Sequence, residues 1–195
     1  MTDVRLPQKR SRRSLGFGHW SLGLGLPLVL WVAAYPYFSV WLFKMREPTF
    51  AVPLAVEAPL QIRKDPYGSG EFGAHRSGGR RHRGVDLTAP VGTEVWAAKS
   101  GRVAIGRLKN GLGRYVEVHH PDGWRTRYAH LNQIAVRDGQ RIGRGQLLGT
   151  VGKTGNARRR LIQSHLHFEV WDVEGVPVDP LTVIEIPTDE PNAGS

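Results

Sequence analysis

Residues 115–131 read YVEVHHPDGWRTRYAHL, and their pattern decides the class of fold. Tyr115, Val116 and Val118 lie in one strand-favouring run, Thr126 and Tyr128 in a second, and the Asp122-Gly123 pair between them is a hairpin turn signal. The stretch predicts two antiparallel strands joined by a tight turn. Similar short runs recur on either side: TEVWAA at 93–98, RVAIG at 102–106, QLLGTVG at 146–152 and HLHFEVWD at 165–172, with glycines between them. Many short strands with Gly-rich turns predict an all-β domain, an antiparallel sandwich or barrel-like body. The segments VGTEVWAAKSGRV (91–103) and DGQRIGRGQLLGTV (138–151) echo each other, as the two halves of a duplicated motif would.

Composition narrows what this body can be. The chain has 195 residues, 40% hydrophobic and 23% charged, with 24 glycines and 13 prolines, which suits one modest domain plus extra segments. The net charge of +10 favours polyanionic partners without choosing among nucleic acid, anionic lipid and acidic wall polymers. No nucleic-acid recognition motif is present, so that partner is not expected. There is no cysteine, which excludes disulfides, thiolate metal sites and a cysteine nucleophile. Any metal must be held by His, Asp or Glu.

The N-terminal part carries a different signal. Arg5, Lys9, Arg10, Arg12 and Arg13 precede the uncharged run SLGLGLPLVLWVAAYPYFSVWLF at 21–43. About twenty such residues span a bilayer core of roughly 30 Å, so one transmembrane helix is expected. The run is longer than the core of a usual signal peptide, which favours an uncleaved anchor over a removed leader. The basic excess before the span favours an inside N-terminus. The resulting expectation is a single-pass protein of the cytoplasmic membrane with its C-terminal domain on the periplasmic or extracytoplasmic side. The Pro-rich stretch 44–65 reads as a linker, 66–185 as the domain and 186–195 as a tail.

The run SHLHFEV at 164–170 places His165 and His167 on one face of a strand and Leu166 and Phe168 on the other. At about 3.3 Å per residue the two histidines stand roughly 6.6 Å apart, close enough for one to bind a metal and the other to reach a bound water. In RRHRGVDL, His82 and Asp86 would lie about 13 Å apart on a straight strand, and Gly84 permits the bend that brings them together. Two imidazole nitrogens and a carboxylate, with a fourth position open, form the ligand set of a catalytic zinc. His130 ends a predicted strand, while His75, His119 and His120 read as surface or hairpin residues.

The ordered series HRGVDLTAPVGTEVWAAKSGRV, YVEVHHPDGWRTRYAHL, GQLLGTVGKTG, SHLHFEVW and GVPVDPL resembles the lysostaphin-type, or LytM-type, zinc metallopeptidases over about residues 66–183. The resemblance implies that His82, Asp86 and His167 bind zinc, and that His130 and His165 flank the reacting water and the substrate carbonyl. It implies a peptidoglycan endopeptidase, a substrate an outward-facing domain would meet. TGNARRRLIQS at 154–164 departs from the family by inserting Arg158, Arg159 and Arg160 before the last motif. EFGAHRSGGRRHRGVD and LIQSHLHFE are similar to a branch that includes a secreted animal chemotactic protein, which lacks the histidine matched by His130. A second reading is a catalytically silent wall-binding or hydrolase-activating module. The complete set of five residues favours the enzyme.

Overall fold

A computed structural model describes residues 25–55 and 59–186. The basic stretch 1–20 with His19, residues 21–24 of the expected span and residues 187–195 of the expected tail lie outside the described residues. The chain divides into two compact units, residues 1–38 and 39–195. The helix α1, Gly25–Arg46, occupies most of the expected span and carries Pro36 inside it. Among the described residues no helix is long and apolar enough to cross a membrane. The apolar run is interrupted in mid-helix by Tyr35, Pro36, Tyr37 and Ser39.

The remaining elements are short strands: β1 (Phe50–Ala51), β2 (Lys64–Asp65), β3 (Gly68–Ser69), β4 (Val85–Thr88), β5 (Glu94–Trp96), β6 (Gly101–Leu108) and β7 (Gly113–His119). They continue with β8 (Arg125–Ala129), β9 (Leu131–Ile134), β10 (Arg141–Ile142), β11 (Leu147–Val151), β12 (His165–Trp171), β13 (Pro177–Val178) and β14 (Ile184–Glu185). The larger sheet runs β10-β6-β7-β8-β12-β13, with β4 also on β12, and a second sheet runs β5-β11-β9. Both are antiparallel, and β1 with β14 forms a small parallel pair.

The hairpin read from residues 115–131 is the centre of the larger sheet. β7 and β8 pair from Val116↔Tyr128 to His119↔Arg125, and Gly123 in the turn takes φ +90, a region open to glycine at no steric cost. The two echoing segments pair with each other: β5 with β11 and β6 with β10. Each segment therefore gives one strand to each sheet. Val95, Leu131, Leu148 and Val151 of the smaller sheet share one core with Val103, Val116, Val118, Tyr128, Leu166 and Phe168 of the larger. Full burial of side chains such as Phe168 and Leu166 contributes about 1.5–3 kcal/mol each.

Two features depart from the sequence reading. The second arm of the hairpin ends at His130 as the sequence predicts, but a further strand, β9, follows at once from Leu131. His130 has φ +64, the single positive φ outside glycine among the described residues, and it turns the chain from the larger sheet into the smaller. Parts of the stretch 44–65 pack on the body: Phe50 and Leu54 are buried, Leu54 bridges to Val95, and Ile62 bridges to Leu87. Aromatic and aliphatic side chains spaced along that arm supply the apolar surface that holds it down.

Candidate metal centre

β4 and β12 lie antiparallel in the register Val85↔Phe168, Asp86↔His167, Leu87↔Leu166 and Thr88↔His165. Strand alternation then sends Val85, Leu87, Leu166 and Phe168 into the core, each fully buried. Asp86, His165 and His167 take the other face. Gly84 precedes β4, where a Cβ would come within 2.1 Å of the Phe168 carbonyl oxygen. Its contribution is close approach to β12 rather than the backbone freedom expected from the sequence, since its φ is not among the positive ones. That approach carries His82 over the face where Asp86 and His167 meet.

Three donor atoms converge there. His82 Nε2 lies 2.9 Å from His167 Nδ1, His167 Nδ1 lies 2.8 Å from Asp86 Oδ1, and His82 Nε2 lies 3.1 Å from Asp86 Oδ1. All three residues are buried. Atoms that share one ion at 2.0–2.2 Å per bond lie no more than about 4.4 Å apart, so this donor set fits a single zinc. Lone pairs this close in a buried pocket repel unless a positive charge lies among them.

Hydrogen bonds orient each ring. His82 Nδ1–H donates to the Glu71 carbonyl at 2.8 Å, leaving Nε2 as the free lone pair. His167 is held the other way round: Nε2–H donates to Glu169 Oε1 at 3.0 Å, leaving Nδ1 facing Asp86 and His82. Glu169 accepts in turn from Arg127 at 2.8 Å and from Trp171 Nε1–H at 2.9 Å. Partners of this kind orient a ligand and raise its basicity. Asp86 Oδ2 is turned away from the site and accepts from Arg63 Nε and Nη2 at 3.1 and 3.0 Å and from Arg76 Nη2 at 3.1 Å.

The other two histidines close the site. His165 Nδ1–H donates to the Gln163 carbonyl at 2.7 Å and His130 Nδ1–H to the Thr154 carbonyl at 2.9 Å, so both present Nε2. Their ring centroids are 4.9 Å apart, His130 is 5.8 Å from the His167 ring, and His165 Nε2 is 3.8 Å from Asp86 Oδ1. Burial pushes His130 down to about 3, with His165 and His167 adding to the effect, and burial lowers His165 as well. Both rings are therefore neutral at pH 7. Burial opposes a proton on His167, but hydrogen bonds to Asp86 and Glu169 prevail and raise it to about 9, so a metal bound at Nδ1 would displace the proton that otherwise lies between Nδ1 and Asp86 Oδ1. Burial likewise opposes charge on Asp86, yet its contacts with His167 and His82 hold it well below the usual carboxylate range.

The structure thus brings together all five residues singled out in the sequence, in a cleft of about 1000 Å³ lined also by Arg76, Arg81 and Arg159. The arginine insertion divides its tasks. Arg158 donates to the Lys109 carbonyl and to Asn110, whereas Arg159 lies over the Tyr67 ring at the cleft, 5.5 Å from its centroid. His75 and His119 are exposed. His120 sits at the hairpin as expected but is buried there. The sequence reading missed Glu169, although it continues the alternation of His165 and His167. It also missed Arg63 and Arg76, for which no pattern in the chain gives a signal.

Residues 80–180 match Peptidase family M23. The chain is 41% identical over 108 residues to the peptidoglycan DD-endopeptidase ShyC of Vibrio cholerae, covering 55% of this chain and 24% of that protein. It is 39% identical over 111 residues to the DD-carboxypeptidase/endopeptidase Mpg of Neisseria meningitidis, covering 57% and 24%. The chain spans about a quarter of the length of these relatives. Among solved structures, a zinc-containing peptidase from Vibrio cholerae superposes with a TM-score of 0.54 at 32% identity, over 68% of this chain and 39% of that one. With the match extending over more than half of its length and the His-Asp-His cluster lying within the matched residues, the chain belongs to peptidase family M23.

Proposed function

We propose that this protein is a zinc endopeptidase that hydrolyses peptide bonds in the stem or cross-link peptides of peptidoglycan. The observation that carries the reading is the convergence of His82 Nε2, Asp86 Oδ1 and His167 Nδ1 within 2.8–3.1 Å of one another. The relatives named as peptidoglycan endopeptidases support the substrate, and exposed arginines around the cleft suit peptides that bear carboxylates.

His82, Asp86 and His167 would hold the zinc, which when bound lowers the pKa of a water and polarises the scissile carbonyl. The chain's own residues supply the proton transfers. His165 and His130 are neutral, and each is fixed through Nδ1–H so that its Nε2 lone pair faces the cleft. One Nε2 accepts the proton that water gives up as its oxygen attacks the carbonyl carbon. The imidazolium so formed returns the proton to the leaving nitrogen as the C–N bond breaks, and the new carboxyl group then gives its proton to the freed amine, leaving a carboxylate and an ammonium group. Arg63 and Arg76 occupy Asp86 Oδ2 and keep Oδ1 turned to the site.

The same reading places the chain in the cytoplasmic membrane by one N-terminal span over about 21–43, with the domain outside. The uncharged run at 21–43 and the basic residues that precede it support that reading. The test is digestion of defined peptidoglycan by the full-length zinc-loaded protein with mass analysis of the products, alongside a topology reporter fused after Ser195. New free amines at cross-links and an extracytoplasmic reporter signal are expected. Intact wall peptides of several types would leave a binding module, and a cytoplasmic signal would remove the wall as substrate.

A further inference from the structure

We infer that Arg63 and Asp65, on the N-terminal arm ahead of the family-matched region, are positioning residues that tie Asp86 and His165 into one frame. The arm is bonded to β4 as an extra edge. Thr88 N–H donates to the Gln61 carbonyl at 2.8 Å, Arg63 N–H to the Asp86 carbonyl at 2.8 Å, and Asp86 N–H to the Gly70 carbonyl at 2.8 Å. Gly70 N–H closes the loop on the Arg63 carbonyl at 2.7 Å. A Cβ at Gly70 would stand 2.7 Å from the Asp86 Cβ, so the arm lies directly against the residue it grips.

The side chains continue the connection. Arg63, 5% exposed, forks onto Asp86 Oδ2 through Nε and Nη2. Its third nitrogen, Nη1, forms an ion pair with Asp65 Oδ2 at 2.5 Å. The same Asp65 oxygen accepts the Gln163 N–H at 3.2 Å. Gln163 then offers its carbonyl to His165 Nδ1–H at 2.7 Å. The path Asp86, Arg63, Asp65, Gln163, His165 is unbroken, and it runs through two residues of the arm. Without Asp65, the peptide that sets the tautomer and direction of His165 loses its anchor. Without Arg63, Asp86 Oδ2 keeps the Arg76 bond, and Asp65 loses its direct ion pair.

The turnover part of the test rests on the peptidase reading, while the metal part does not. Full-length Arg63→Ala, Asp65→Ala and the double variant are compared with the parent, and Arg63→Lys and Asp65→Asn serve as milder changes. The readouts are zinc affinity by competition with a chromophoric chelator, the cobalt(II) absorption spectrum, kcat and KM at saturating zinc, and thermal stability. Arg63→Ala is expected to weaken zinc binding about 10- to 100-fold and to alter the cobalt spectrum. Asp65→Ala is expected to lower kcat about tenfold or more with KM little changed, and the double variant to lose less than the product of the singles. Arg63→Lys should recover part of the affinity and leave the spectrum altered, because an ammonium cannot fork. Affinity, spectrum and kcat all within about twofold of the parent, whatever the melting temperature, would overturn the inference. A parent that cuts no peptidoglycan, with the zinc and cobalt effects intact, would overturn the peptidase reading alone and support the frame.

Discussion

Replacing His120 by Gln should make the protein less sensitive to acid. His120 lies in the β7–β8 turn, buried edge-on against Phe50 at 5.6 Å, with Nδ1–H donating to the Ser100 carbonyl at 2.9 Å and Nε2 bonded to Thr126 Oγ1 at 3.0 Å. Burial drives its pKa down from 6.5 to about 4; Lys99 assists, while the Ser100 carbonyl, Asp122 and Glu47 oppose without prevailing. A folded pKa below the unfolded one means that the unfolded chain takes up the proton first. Stability is therefore lost as pH falls from about 6.5 towards 4. At pH 5 the loss from this one group is about 2 kcal/mol, or roughly 4–8 °C in melting temperature for a protein of this size. The assay is thermal unfolding at pH 7.5 and pH 5 with a chelator present, for parent and His120→Gln. The variant starts lower at pH 7.5, having lost fitted hydrogen bonds, but its further drop at pH 5 should be smaller by about that amount. An equal drop in both proteins would refute the reasoning.

Glu169→Gln keeps an acceptor near His167 Nε2–H but removes its charge, so zinc affinity should fall about 10- to 100-fold; a chelator competition titration checks it. Gly84→Ala forces a Cβ onto the Phe168 carbonyl, and the displaced β4 should cost both melting temperature and zinc content, read by circular dichroism and elemental analysis.

The fold was legible where one face of a strand is core and the other is not. Leu166 and Phe168 alternate with His165 and His167 in the sequence as they do in β12, and Asp122-Gly123 marks the turn that pairs β7 with β8. What stayed hidden depends on contacts between distant segments. The meeting of His82 and Asp86 with His167 was legible through the family resemblance, whereas its physical cause is the β4–β12 register. His130 carried no sign of its positive φ, because that conformation is imposed where the chain passes between sheets rather than by local preference. The carbonyls of Glu71, Thr154 and Gln163, which fix three of the histidines, belong to peptide groups that any residue supplies. Arg63 and Asp65 lie in a Pro-rich stretch without periodicity, where function rests on two side chains and no pattern surrounds them.

The central claim separates residues that hold the metal from residues that move the proton. The measurement is zinc content beside peptidoglycan cleavage for full-length His167→Ala, His165→Ala and His130→Ala, with the exposed His119→Ala as control. His167→Ala should lose both zinc and cleavage. His165→Ala and His130→Ala should keep about one zinc per chain and lose turnover on the order of a hundredfold or more, while His119→Ala should match the parent. Full cleavage by the His165 and His130 variants, or full zinc in the His167 variant, would contradict the account.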